Sequence, residues 1–264
     1  MKFLIACAAV GLAAAPAAAQ QAEPLAIGET FTVESRALDE MLRINVYLPA
    51  GYAESHELRL PVLYMPDGGI AEDFLHVAGL VQVSVGNGTM RPFILVGIEN
   101  TQRRRDLTGP TSRDEDRNIA PVVGGSAAFR RFIREELKPL VQSRYRTTQE
   151  SAIVGESLAG LFIVETFVLE PELFDSYIAF DPSLWWNGDA LVEEAAARVG
   201  RDTHAGRTLF LASSSQAEIA ALTARLVDAL RDRATVQHVP MPAESHATIY
   251  HPAALVAFRT LFKP

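Results

Sequence analysis

The sequence predicts an α/β domain built on a mostly parallel sheet of about eight strands with helices on both faces. Three observations carry that expectation. Short apolar runs alternate with segments of helical periodicity, the pattern of strands joined by crossover helices. Leu60–Met65 is almost continuously apolar, which means cover on both faces, as inside a parallel sheet. The stretch Ser151 to Gly160, S-A-I-V-G-E-S-L-A-G, passes from an apolar run through a glycine-bounded turn into an apolar, helix-prone segment.

The elements can be justified in order. Lys2, the apolar run Phe3 to Ala15 and the small residues Ala17, Ala18 and Ala19 read as a secretory signal peptide over 1–19, cut before Gln20. The run is too short to span a bilayer. The exported protein is therefore expected in the periplasm or outside the cell, with no stable membrane anchor and with 20–264 forming a single domain. Cys7, the one cysteine of the 264 residues, falls in the leader, so disulfides, a thiol nucleophile and thiolate metal ligands are excluded from the mature chain. The net charge of −8 becomes −9 without Lys2, which repels nucleic acid and anionic membranes on average.

Thr30 to Ser35 and Met41 to Pro49 read as an antiparallel edge pair around a turn at Leu38, Asp39 and Glu40. In the second, Leu42, Ile44, Val46 and Leu48 alternate with Arg43, Asn45 and Tyr47, the period of a half-buried strand. Leu60–Met65 ends abruptly at Pro66, Asp67, Gly68 and Gly69. A helix is expected over Ile70 to Val85, a buried strand over Pro92 to Ile98, and a helix over Ser126 to Tyr145 with Phe129, Phe132, Ile133, Leu137, Leu140 and Val141 on one side. After the elbow strand, strands are expected at Tyr177 to Phe180, Thr208 to Ala212 and Val236 to Val239. Helical patterns fill Leu161 to Leu169, Ala190 to Val199, Glu218 to Arg231 and Pro252 to Phe262.

Functional groups in such sheets gather at the carboxyl ends of strands. Gly155, Glu156, Ser157, Leu158 and Ala159 form G-x-S-x-A with Gly160 behind, a near match to the G-x-S-x-G turn that makes a serine nucleophilic. A serine needs a base, an orienting acid and oxyanion donors, in the chain order serine, acid, histidine. Of the histidines beyond Ser157, His246 lies in the loop after the last strand and is the expected base. Glu218, after the strand Thr208 to Ala212, is the expected acid, with Glu244, Asp181 and Asp202 as competitors. Glu218 also suits the first turn of a helix for its charge alone. The backbone N–H groups of Leu158 and Gly69 are the expected oxyanion donors, although Asp67-Gly68-Gly69 reads equally well as a plain turn. Arg103, Arg104 and Arg105 read first as a solvated loop cluster, with attraction of an anionic substrate, assigned to Arg105, as the functional alternative. Trp185 and Trp186 either wall an acyl or aromatic pocket or pack under their loop.

Taken together, V-L-Y-M-P-D-G (62–68), G-I-E-N-T-Q-R-R-R-D-L-T (97–108), the elbow, P-E-L-F-D-S-Y-I-A-F-D-P-S-L-W-W (171–186) and Glu244 to His246 resemble the putative-esterase family of α/β-hydrolases. That group includes enterochelin esterase and its periplasmic relatives, esterase D and the mycolyltransferases. Glu156 departs from the histidine often found before the serine, and Ala159 from the usual glycine. The resemblance implies a serine esterase with no metal or cofactor, acting on siderophore, feruloyl, acetyl or simple carboxylic esters. Acyl transfer to a sugar hydroxyl, and ligand binding on a degenerate hydrolase scaffold, are the alternatives.

Overall fold

Every residue of β3 (Leu60–Met65) is buried, and its side chains divide between two hydrophobic layers: Val62 and Tyr64 point to one, Leu63 and Met65 to the other. The same alternation recurs along β5 (Thr147–Glu156), β6 (Ser176–Phe180) and β7 (Thr208–Ser213), as the two-residue period of a strand requires. This computed structural model describes residues 23–264, so the leader expected over 1–19 and its cut before Gln20 lie outside the described residues.

With β1 (Glu29–Ser35), β2 (Glu40–Tyr47), β4 (Ile94–Ile98) and β8 (Thr235–Pro240), these strands form one eight-stranded sheet in the order β1-β2-β4-β3-β5-β6-β7-β8. β1, β2 and β4 pair antiparallel, and every other neighbour is parallel. The β1–β2 turn takes Asp39 into the left-handed region at φ 55°.

Helices cover both faces. α1 (Phe74–Gly86) and α9 (Tyr250–Leu261) share one layer with Leu63, Met65 and Phe180. The other layer holds α4 (Ser126–Phe132), α5 (Lys138–Arg144), α6 (Leu158–Leu169), α7 (Ala190–Arg198) and α8 (Ala217–Leu230). Two single turns, α2 (Arg103–Asp106) and α3 (Asp114–Arg117), lie in the polar segment expected to be loop. Four-residue turns are too short to show a hydrophobic period.

Two boundaries differ from expectation for local reasons. α1 begins at Phe74 and not at Ile70, because Asp67 is left-handed at φ 56°, Gly68 N–H donates to Ile98 O and Asp73 N–H to Asp67 O. The long helix over 126–144 is interrupted by a π turn, Ile133–Leu137. Pro139 follows it, and a proline inside a helix removes one N–H and crowds the carbonyl one turn back, which a widened turn relieves.

The strand order fixes where a site can form. From β3 the chain goes outward to β4 and then returns across β3 to β5, so the connections leave a crevice at the carboxyl ends of β3 and β5. The Asp67–Gly69 loop and Ser157 emerge there.

Candidate active site

Ser157 sits between β5 and α6 with φ 60° and ψ −119°, a backbone state that non-glycine residues avoid. The surroundings hold it there: its N–H donates to Phe180 O at 3.0 Å, and its carbonyl accepts from Leu161 N–H at 2.9 Å and Ser183 N–H at 3.0 Å. The turn closes because its flanks are small. A Cβ on Gly155 would lie 2.6 Å from the Ala159 Cβ, and one on Gly160 would lie 3.1 Å from Phe180 O and Pro182 Cα. Ala159 is tolerated in place of a glycine because Gly155 leaves room for its methyl.

The hydroxyl of Ser157 lies 3.2 Å from His246 Nε2, and His246 Nδ1 lies 3.1 Å from Asp181 Oδ2. With the proton on Nδ1 donated to Asp181, Nε2 presents its lone pair to the Ser157 hydroxyl. Asp181 follows β6, is fully buried, and accepts Ser214 N–H on its other oxygen at 2.6 Å. Burial pushes the Asp181 carboxyl up, but the hydrogen bonds from His246 and Ser214 outweigh it and hold it below its ordinary range. The hydrogen bond to Asp181 raises His246 against the opposing effect of burial, and the Glu156 charge adds to the rise.

Ser157 and His246 are thus brought together as the sequence suggests. Glu218 is not His246's partner. It stands in the first turn of α8 and lines a groove of about 620 Å³ with Trp185, Asp189 and Arg225. β6 lies directly beside β5 whereas β7 is one strand further, so the carboxylate at the end of β6 reaches the ring and β7 contributes only the Ser214 N–H. The available signal was Asp181 itself, a carboxylate immediately after an apolar strand and before Pro182.

Leu158 is the first residue of α6, where an N–H has no acceptor within the helix. Gly69 differs from expectation, since its N–H donates to Glu72 Oε2 at 2.6 Å. The loop around it is tight: a Cβ on Gly68 would lie 2.3 Å from Gly97 Cα, and Asn45 Nδ2 donates to Gly68 O at 2.8 Å.

Arg105 does not face the site as expected. Its Nε donates to Asp106 at 2.7 Å, its Nη2 donates to Glu40, and only 15% of the side chain is exposed. The arginine beside the site is Arg103, which clasps Asp67 through Nε at 2.6 Å and Nη2 at 2.8 Å. Trp186 is buried with its indole N–H on Gly109 O at 2.9 Å, so it packs under its loop. Trp185 lines the groove, two residues beyond Ser183, whose hydroxyl lies 3.4 Å from that of Ser157.

Glu156 is a site residue that the sequence marked only as a departure. Its Oε1 lies 3.8 Å from His246 Nδ1.

A mostly parallel eight-stranded sheet with a strained Ser157 turn after β5 and His246 after β8 defines the α/β-hydrolase fold. Residues 35–247 match the family described as "Putative esterase", and the chain belongs to it. It is 32% identical over 159 residues to the ferri-bacillibactin esterase BesA of Bacillus subtilis, covering 53% of this chain and 50% of that one. It is 31% identical over 195 residues to the siderophore triacetylfusarinine C esterase of Aspergillus fumigatus, covering 67% of this chain and 62% of that one. The alignments therefore span between half and two thirds of these relatives' own length. Among solved structures, an IroE-like serine hydrolase from Shewanella oneidensis superposes with a TM-score of 0.79 at 29% identity, covering 89% of this chain and 80% of the other. No helix among the described residues is long and apolar enough to cross a membrane.

Proposed function

We propose that the chain is a serine carboxylic-ester hydrolase whose substrate class is siderophore esters. The observation that carries this reading is the hydrogen-bonded series Ser157 Oγ, His246 Nε2, His246 Nδ1 and Asp181 Oδ2 at a strained strand-to-helix turn. Each group has a chemical task in it. Ser157 Oγ attacks the ester carbonyl as its proton passes to Nε2. Asp181 holds the ring in the correct tautomer and offsets the imidazolium charge. The oxyanion is met by Leu158 N–H, with Gly69 N–H joining when Glu72 releases it. The tetrahedral adduct collapses, the alcohol leaves with the proton from Nε2, and water reverses the sequence on the acyl-enzyme.

The substrate class is supported by the names of the two relatives. The test is hydrolysis of a ferric siderophore triester and of p-nitrophenyl acetate, followed by chromatography and absorbance. Ser157→Ala should lower kcat on both by several orders of magnitude, on the order of 10⁶ where a serine triad has been dissected. Undiminished turnover by Ser157→Ala would reject the serine reading. Turnover of the small ester alone would reject the siderophore assignment. We also propose export with cleavage before Gln20, and the N-terminal sequence of the protein recovered outside the cytoplasm checks it.

A further inference from the structure

Glu156 ends β5, one residue before the nucleophile, and its Oε1 is buried without a hydrogen-bond partner among the described residues. A buried carboxylate left unpaired is costly when ionised unless a nearby positive charge offsets it. His246 is the group placed to supply that charge, with Nδ1 3.8 Å from Oε1 on the side of the ring that Asp181 also occupies. The ring therefore has two carboxylates behind it. Asp181 accepts the Nδ1 hydrogen at 3.1 Å, while Glu156 stands just outside hydrogen-bond range.

We infer that Glu156 is a second carboxylate serving His246, a positioning residue that acts on the imidazolium through its charge and partly replaces Asp181 when that acid is lost. This rests on the serine-hydrolase reading. When Ser157 gives its proton to Nε2, the ring gains a full positive charge. Ionised Asp181 and Glu156 then both stabilise that charge, whereas a neutral residue at 156 would leave Asp181 alone. Protons balance throughout, because Glu156 neither accepts nor donates one during the cycle; its own ionisation is set by the bulk pH.

The charged groups that act on Glu156 come from every side of the site: His246 before α9, Asp181 after β6, Asp67 and Asp73 before α1, and Arg103 in α2. Tyr250 at the start of α9 is buried nearby, and its hydroxyl lacks a hydrogen-bond partner among the described residues. Burial raises the Glu156 carboxyl, the His246 charge pulls it down, and the charges of Asp73, Asp181 and Asp67 push it up, the net being a value of about 7. Glu156 and His246 consequently titrate as a pair, with two apparent steps shared between them.

The experiment is the pH profile of kcat/KM for p-nitrophenyl acetate, from about pH 5 to about pH 9, in which the acid limb reports the free enzyme's base. Glu156→Gln should move that limb down by about one pH unit and lower the plateau kcat about tenfold, as loss of a charge near 4 Å in a partly screened site implies. Asp181→Asn should keep a residual activity that climbs through neutrality as Glu156 ionises. The double variant Asp181→Asn/Glu156→Gln should lose that climb. Glu156→Asp, which keeps the charge, should return the acid limb toward its original place. An unmoved limb in Glu156→Gln, or a double variant no worse than Asp181→Asn at any pH, overturns the inference. If the amide variants do not fold, NMR titration of the His246 ring in the unaltered protein decides, with two steps expected and a single step fatal. A Ser157→Ala enzyme that still turns over would instead remove the serine reading beneath it.

Discussion

Asp181 and Glu218 differ in what each carboxylate touches, and that difference sets how their loss should appear. The first is fully buried between the His246 ring and the Ser214 N–H. The second stands at a helix start in an open groove. Asp181→Asn keeps the shape but turns one of its acceptors into a donor facing the ring, and the wrong tautomer costs up to about 10⁴ in kcat in a trypsin-type triad. Stopped-flow and steady-state rates should show Asp181→Asn losing orders of magnitude more than Glu218→Gln. That Ser157 meets His246 is legible in the sequence because a glycine-bounded serine turn and the order of residues along the chain are local facts. The carboxylate behind His246 is not, since it depends on which strand lies beside β5, and no spacing between Phe180, Asp181 and Pro182 encodes that neighbour. The surroundings of Arg105 and Trp186 are illegible for a similar reason: their partners, Glu40 and Gly109, are 65 and 77 residues away.

At the scale of elements, the turn between β5 and α6 depends on a trade between two small residues. Adding a methyl at Gly155 drives it to 2.6 Å from that of Ala159, closer than packed carbons tolerate. Gly155→Ala should cost about 1–3 kcal/mol, as overpacking of a closed interior does, and displace Ser157 with it. The double variant Gly155→Ala/Ala159→Gly should recover most of the lost Tm and activity in thermal unfolding and ester assays. Failure of the second change to compensate would mean that the glycine serves something other than room. Elements of this kind were the legible part of the fold. Each of the eight strands carries an apolar run or alternating apolar positions near its bounds, and α6 to α9 have clear beginnings and ends. The π turn was invisible to periodicity because Phe132, Ile133 and Leu137 keep a helical spacing on either side of it.

For the whole molecule, the site's charges tie stability and activity to opposite pH trends. Asp181 is held below its ordinary range, so its contribution is present above the unfolded value near 3.9 and disappears as pH falls through the folded value. His246 is raised, so its contribution is full below about 6.5 and disappears as pH rises through the folded value. Glu156, an acid raised by burial, costs stability increasingly above about 4.3, in the same direction as His246. These groups together favour the fold most near pH 4 and progressively less as pH rises through neutrality, while the proposed hydrolysis needs neutral His246 at higher pH. Scanning calorimetry should find Tm falling from mildly acidic to mildly alkaline buffer as turnover rises, and Glu156→Gln should flatten the fall. A Tm that climbs alongside turnover would contradict this account.

His246 hangs between β8, a marginally covered strand at the sheet's edge, and α9, whose inner face is packed into the core. Opening β8 would part His246 from Ser157, which is anchored at the sheet's centre, while most of the core remained closed. Turnover in urea should therefore fade before the fluorescence of Trp185 and Trp186, the latter fixed on Gly109, reports unfolding. Amide hydrogens of β8 should exchange sooner than those of β5. The working lifetime of the Ser157–His246 pair under stress would then be set at one edge of the sheet and not by its core.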